Sequence, residues 1–243
     1  MKTISIPFSF LFLTIVFAVP VTYAETLRFN TTGKLPLNTP EQTGFMDIVT
    51  KEALSRIGIQ LVTVHLPAER GLKNANAGIE DGEMSRIAGL EKVYPNLIRV
   101  PEKIMDWEFY AFSSKNITLN GNWESLESYS VAFINGWKIL ENNVPTNVLV
   151  TKVKNPDQLF GLMIKRRADV ILYERWGGLK FIQEKKLVDV KILEPFLAKR
   201  EMFIYLHKKH ESIVPRLALA LRDMKQDGSY EKIVNQVLDP LDQ

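Results

Sequence analysis

From Thr26 onward, apolar runs of strand length alternate with amphipathic stretches of helical period, and Gly, Pro or Asn marks each change. TLRFNTT (26–32) predicts a strand, GFMDIVTKEALSRIG (44–58) a helix closed by Gly58, and IQLVTVHL (59–66) a second strand. Pro67 suits the first turn of a helix over PAERGLKNANAG (67–78), because its fixed φ is helical and its missing N–H is not needed there. IEDGEM (79–84) and NLIRV (96–100) read as short strands around a helical turn, LEKVY (90–94). Strand followed by helix followed by strand predicts a parallel sheet covered by helices.

The middle of the chain repeats this order. YSVAFI (129–134), VLVTKV (148–153), ADVILY (168–173) and VDVKIL (188–193) predict strands. GWKILENN (136–143), NPDQLFGLMIKRR (155–167) and GGLKFIQEKK (177–186) predict helices, the second capped by Asn155 with Pro156 next. The C-terminal stretch 211–238 reads as two helices broken at Gly228 with no strand after them. FYAFSSKN (109–116) and FIYLHKKH (203–210) share an apolar start and a polar, lysine-containing end, and they flank the middle region. Read as strands that cross between two α/β lobes, they divide the chain into 25–112 plus 205–243 and 113–204, with a hinge between.

The first 24 residues fit neither lobe. Lys2 precedes an apolar run from Ile4 to Val21, and small residues follow at Thr22 and Ala24. This is the pattern of a secretory signal peptide cleaved after Ala24; the run is short for a membrane span. Charge then adds an exclusion. The chain carries 31 basic and 28 acidic residues, and the leader holds only Lys2, so the remainder is nearly neutral and lacks the clustered basic face of a nucleic-acid partner. KRR at 165–167 reads as a polar helix end. With no cysteine there are no disulfides, and a packed core must carry stability.

In order, GFMDIVTKEALSRIG, LPAERGLKNANAGIEDGEM, PEKIMDWEFYAFSSK, ADVILYE and the closing FIYLHKKHESIVPRLALALRDMKQDGSYEKIV resemble the extracellular family 3 solute-binding proteins that serve ABC transporters. The resemblance spans essentially the whole chain after the leader. It implies the periplasmic binding protein type II fold, two α/β lobes with parallel-rich sheets joined by two crossing strands. It also implies a periplasmic, monomeric, non-enzymatic protein that closes on a small polar, anionic or zwitterionic, amino-acid-like ligand, with an ABC transporter permease as partner and no cofactor. Two departures stand out. Amino-acid binders usually carry Gly-Met-Thr/Ser before a carboxylate-clamping arginine, and an aspartate for the ammonium; here the stretch is GEMSR and the acid is Glu174 in ILYERW.

Ligands of open α/β sheets sit outside the carboxyl ends of the strands. Arg86 follows IEDGEM and Glu174 follows ADVILY, so the two are expected to face each other across a cleft, Arg86 gripping an anionic group bidentately; a surface salt bridge from Arg86 to Glu83 or Glu91 is the alternative. Arg70, in the first turn of the helix after Pro67, is a second anion contact beside free helix N–H groups. Trp107, Tyr110, Trp137 and Trp176 are candidates to stack on the ligand, and Asn135 offers a polar contact. His207 and His210 lack the further ligands of a metal site. Competing readings are an enzyme on the same scaffold, a dehydratase with Glu174 as general acid or base, and a sensory module whose closure is read in trans.

Overall fold

The computed structural model describes residues 25–242. The expected leader and its cleavage after Ala24 lie outside the described residues. Eight strands form one sheet in the order β2-β1-β3-β8-β4-β7-β5-β6. The first lobe contributes β1 (Glu25–Thr31), β2 (Ile59–His65) and β3 (Gly82–Arg86), with β2 and β3 both parallel to β1. Helices α1 (Phe45–Ser55) and α2 (Ala68–Asn76) make the connections. The second lobe repeats this with β5 (Val131–Ile134), β6 (Val150–Val153) and β7 (Val170–Glu174), all parallel. Its helices are α3 (Lys138–Glu141), α4 (Pro156–Ile164) and α5 (Arg175–Lys185). Asn155 caps α4 by accepting the Gln158 N–H at 2.9 Å, as its position before Pro156 predicts.

Between the lobes run β4 (Leu97–Ser113) and β8 (Lys191–His207), antiparallel to each other and 17 residues long. At about 3.3 Å per residue either strand reaches through both lobes. Each merges segments that the sequence pattern separates, because Pro101 and Pro195 read as breaks. In the sheet, Pro101 falls where the β4–β8 register shifts between Arg99 and Lys103, and Pro195 where residues 194–197 loop out between paired Leu193 and Ala198. Such irregularities are where a strand accommodates a residue without an N–H.

Phe109–Phe112 already pair with β7 and pack in the second lobe's core, whereas Met202 and Ile204 pack in the first. The backbone passes from one core cluster to the other just before Phe109 and between Ala198 and Met202.

Each lobe has its own core. Phe29, Phe45, Leu54, Ile104, Leu217 and Leu221 anchor the first; Phe133, Leu172, Phe112, Phe160 and Ile171 anchor two adjoining clusters of the second. The closing helices α6 (Val214–Gln226) and α7 (Ser229–Val237) return to the first lobe. Gly228, at φ 80°, turns between them, and Tyr230 meets Phe45 edge-on at 5.6 Å. Among the described residues no helix is long and apolar enough to cross a membrane.

Candidate functional site

The carboxyl ends of β1 and β3 in one lobe and of β5 and β7 in the other open onto a shared cleft of about 370 Å³. The loop after β1 forms one rim and is held by buried polar contacts. The Asn38 amide donates to Asp47 Oδ1 at 2.7 Å, and Thr31 Oγ1 donates to Asn38 Oδ1 at 2.9 Å. Asp47, in the first turn of α1, also accepts the N–H groups of Thr39 and Gly44 at 2.8 and 3.1 Å, and burial pushes its carboxyl above the usual range. Lys34 and Asn38 thereby face the cleft from a fixed loop.

Arg86, at the end of β3, lines the same cleft but is not free. Its Nε donates to Glu83 Oε2 at 2.9 Å and its Nη2 lies 2.7 Å from the same oxygen; the two side chains are 14% and 1% exposed. Burial pushes the Glu83 carboxyl up to about 7 against the pull of the guanidinium. Lys34 and Lys154, one from each lobe, are exposed at the cleft and make no ion pair among the described residues.

Glu174 lines the opposite wall and is buried. Its carboxylate caps α5, accepting the N–H groups of Trp176 at 3.0 Å and of Gly177. Gly177 permits this, since a Cβ there would lie 2.1 Å from Glu174 Oε1. Burial outweighs the two amide donors and raises the carboxyl to about 7. With both oxygens engaged by backbone, Glu174 is a helix cap before it is a hook for an ammonium.

Aromatic rings complete the walls. Trp137 stacks on Tyr173, centroids 4.9 Å apart, and meets Phe109 edge-on at 5.8 Å. Trp107 and Met202 come from the crossing strands.

Arg86, Glu174, Trp107 and Trp137 line one cleft. Arg70, Tyr110, Asn135 and Trp176 are not among the cleft residues. Arg70 is exposed on α2. Tyr110 is buried on β4, where its hydroxyl oxygen accepts from Arg175 Nη1 at 2.9 Å, because alternation along the strand turns it away from the face that carries Trp107 and Phe109. Asn135 is exposed beyond β5, its N–H spent on Val153 O at 2.8 Å. Trp176 packs on the first lobe's core. Lys34, Asn38, Lys154 and Tyr173 line the cleft as well. Lys154 and Tyr173 obey the strand-end rule that pointed to Arg86; Lys34 sits in a long loop with no pattern to flag it. His210 Nε2 is 2.7 Å from Asp81 Oδ1, and His207 Nδ1 accepts the Lys209 N–H at 3.2 Å.

No family model matches the chain. An uncharacterized protein of Shewanella oneidensis is 27% identical over 203 residues, 78% of this chain and 74% of its own. Among solved structures, the L-cystine solute receptor of Neisseria gonorrhoeae in its unliganded open conformation superposes with a TM-score of 0.69 at 17% identity, covering 88% of this chain and 93% of that one. The ligand-binding core of GluR0 from Nostoc punctiforme, in complex with L-glutamate, gives 0.69 at 16% identity over 88% of this chain and all of its own, 100%. These likenesses establish the fold, that of the periplasmic binding proteins of type II.

Proposed function

We propose that this chain, on the fold it shares with amino-acid-binding receptors, is an exported solute-binding protein whose two lobes close on a small anionic ligand. The carrying observation is the cleft itself: about 370 Å³ at the carboxyl ends of strands from both lobes, with Lys34 and Arg86 on one side and Lys154 on the other. A ligand that bridges such walls stabilises the closed arrangement through contacts it makes only there. In this reading Arg86 and the two lysines meet the ligand's negative group, Trp107 and Trp137 cover its body, and Glu174 shapes the wall. Arg70, Tyr110, Asn135 and Trp176 lie outside the site. The lobes divide near Trp107 and Arg200, the protein is a periplasmic monomer, and its delivery partner is an ABC transporter permease. The backbone amides on both Glu174 oxygens favour binding over a dehydratase role for that residue.

The test is a thermal-shift screen of the purified protein over amino acids, opines, organic acids and polyamines, followed by small-angle scattering with any hit. A solute present at 100 times its Kd adds about 2.7 kcal/mol of stability, roughly 5–10 °C in Tm for a chain of this size, and closure lowers the radius of gyration. A hit that leaves the scattering curve unchanged would argue against closure, and a panel without hits against solute binding.

A further inference from the structure

The aromatic wall of the cleft has a second side. Trp107, Trp137 and Met202 also line an adjoining cavity of about 390 Å³, completed mainly by Ile87 from the first lobe and by Phe109 and Ile139. Apolar side chains make most of its surface, and Lys138 and Arg200 stand among its few charged neighbours. Ile87 is 48% exposed there. The cationic cleft thus meets, at two indole rings, an apolar chamber between the same two lobes.

Charge in the cleft is one-sided as well. Of its lining residues only Glu174 is acidic, and both of its oxygens accept backbone N–H groups. Glu83, behind Arg86, is tied to that guanidinium. An α-ammonium group needs an ionised carboxylate within hydrogen-bond reach to replace its water, and desolvating it without one is costly. A carboxylate, by contrast, has Lys34, Lys154 and Arg86 to meet it, and a flat ring gains both area burial and stacking against Trp107 and Trp137 with little rotamer freedom lost.

We propose that the solute is an amphipathic carboxylate lacking an amine, of the arylalkanoate type, with its carboxylate between Lys34, Arg86 and Lys154 and its ring in the chamber bounded by Ile87, Phe109 and Ile139. This rests on the solute-binding reading above and narrows its ligand.

Three probes separate the features. 3-Phenylpropionate has ring and carboxylate, L-phenylalanine adds the ammonium, and propionate removes the ring. By calorimetry on the purified protein, 3-phenylpropionate binds at least roughly tenfold more tightly than either of the others, the gain expected from burying one ring without an unpaired ammonium. Ile87→Asp, at a position exposed enough to leave folding intact, lowers 3-phenylpropionate affinity by about tenfold or more, because it sets a carboxylate at the mouth of the chamber. Circular dichroism and Tm of that variant check the fold. Equal or tighter binding of L-phenylalanine or propionate, or an Ile87→Asp variant that binds 3-phenylpropionate like the parent, overturns the proposal. Failure of all three probes also overturns it, and the thermal-shift screen then tells which level fails: a hit among other polar solutes preserves solute binding, whereas a blank screen removes both.

Discussion

At Arg86 one guanidinium lines the cleft and also neutralises a carboxylate that is 1% exposed, so its removal has two effects that need separating. Arg86→Ala leaves Glu83 buried without its cation, and breaking a buried pair from one side costs about 3 kcal/mol or more. The double variant Glu83→Gln/Arg86→Ala removes the charge along with its partner and recovers most of that loss. Urea unfolding of the two variants reads the stability effect, and titration with the ligand reads the other, which stays weak in both. A single variant as stable as the parent would show that Glu83 is not held in a desolvated pair. The placing of Arg86 was legible in the sequence, because strand ends mark ligand sites in this kind of sheet. Its partner Glu83 was legible only as one of two surface alternatives, beside Glu91, and the burial of the pair was not. Residues three apart on a regular strand point to opposite faces, and Glu83 meets Arg86 only because the β3–β8 register is irregular between them. Periodicity carries no signal for such a break.

Among the elements, the junction of β7 and α5 concentrates the chemistry. Glu174 ends the strand, caps the helix and lines the cleft, and the missing Cβ of Gly177 lets its carboxylate settle on the helix amides. Its carboxyl is raised from 4.5 to about 7, so the folded state holds this proton more tightly than the unfolded chain does. The associated stability is fully present below pH 4.5 and is lost as pH rises through about 7. Relative to Glu174→Gln, which cannot titrate, the parent is expected to lose about 3 kcal/mol of unfolding free energy between about pH 4 and about pH 8. Urea unfolding of both proteins across that range measures the difference. A flat difference would mean that the helix amides, rather than burial, govern the carboxylate. Most elements were readable from local pattern alone, α4 best of all, since Asn155 and Pro156 state its start chemically. The two long strands were not. Pro101 and Pro195 are strong local stop signals, and only the pairing of β4 with β8 across the sheet overrides them.

At the scale of the whole molecule, the relative position of the lobes is tied at more than the crossing strands. α5 belongs to the second lobe, yet Trp176 packs on the first lobe's core and Arg175 Nη2 donates to Asp242 Oδ2 at 2.6 Å, in the segment that follows α7. Gln183 reaches Pro240 O nearby, at 3.4 Å. Any closure that moves α5 against the first lobe must carry this tail along or break these contacts, so they bias the equilibrium between arrangements. Their weights differ. The Arg175–Asp242 pair has side chains 17% and 41% exposed, and a pair open to water contributes roughly 0.2–1 kcal/mol, a shift in populations of less than about fivefold. An indole packed on a core has more to lose, because truncating it exposes apolar surface at about 25 cal/mol per Å². Asp242→Asn is therefore expected to change solute affinity by less than about fivefold, while Trp176→Ala changes it by more and alters the radius of gyration of the unliganded protein. Calorimetry and small-angle scattering on both variants decide the order. If Asp242→Asn has the larger effect, the tail's ion pair rather than the half-buried ring sets how far the cleft stands open.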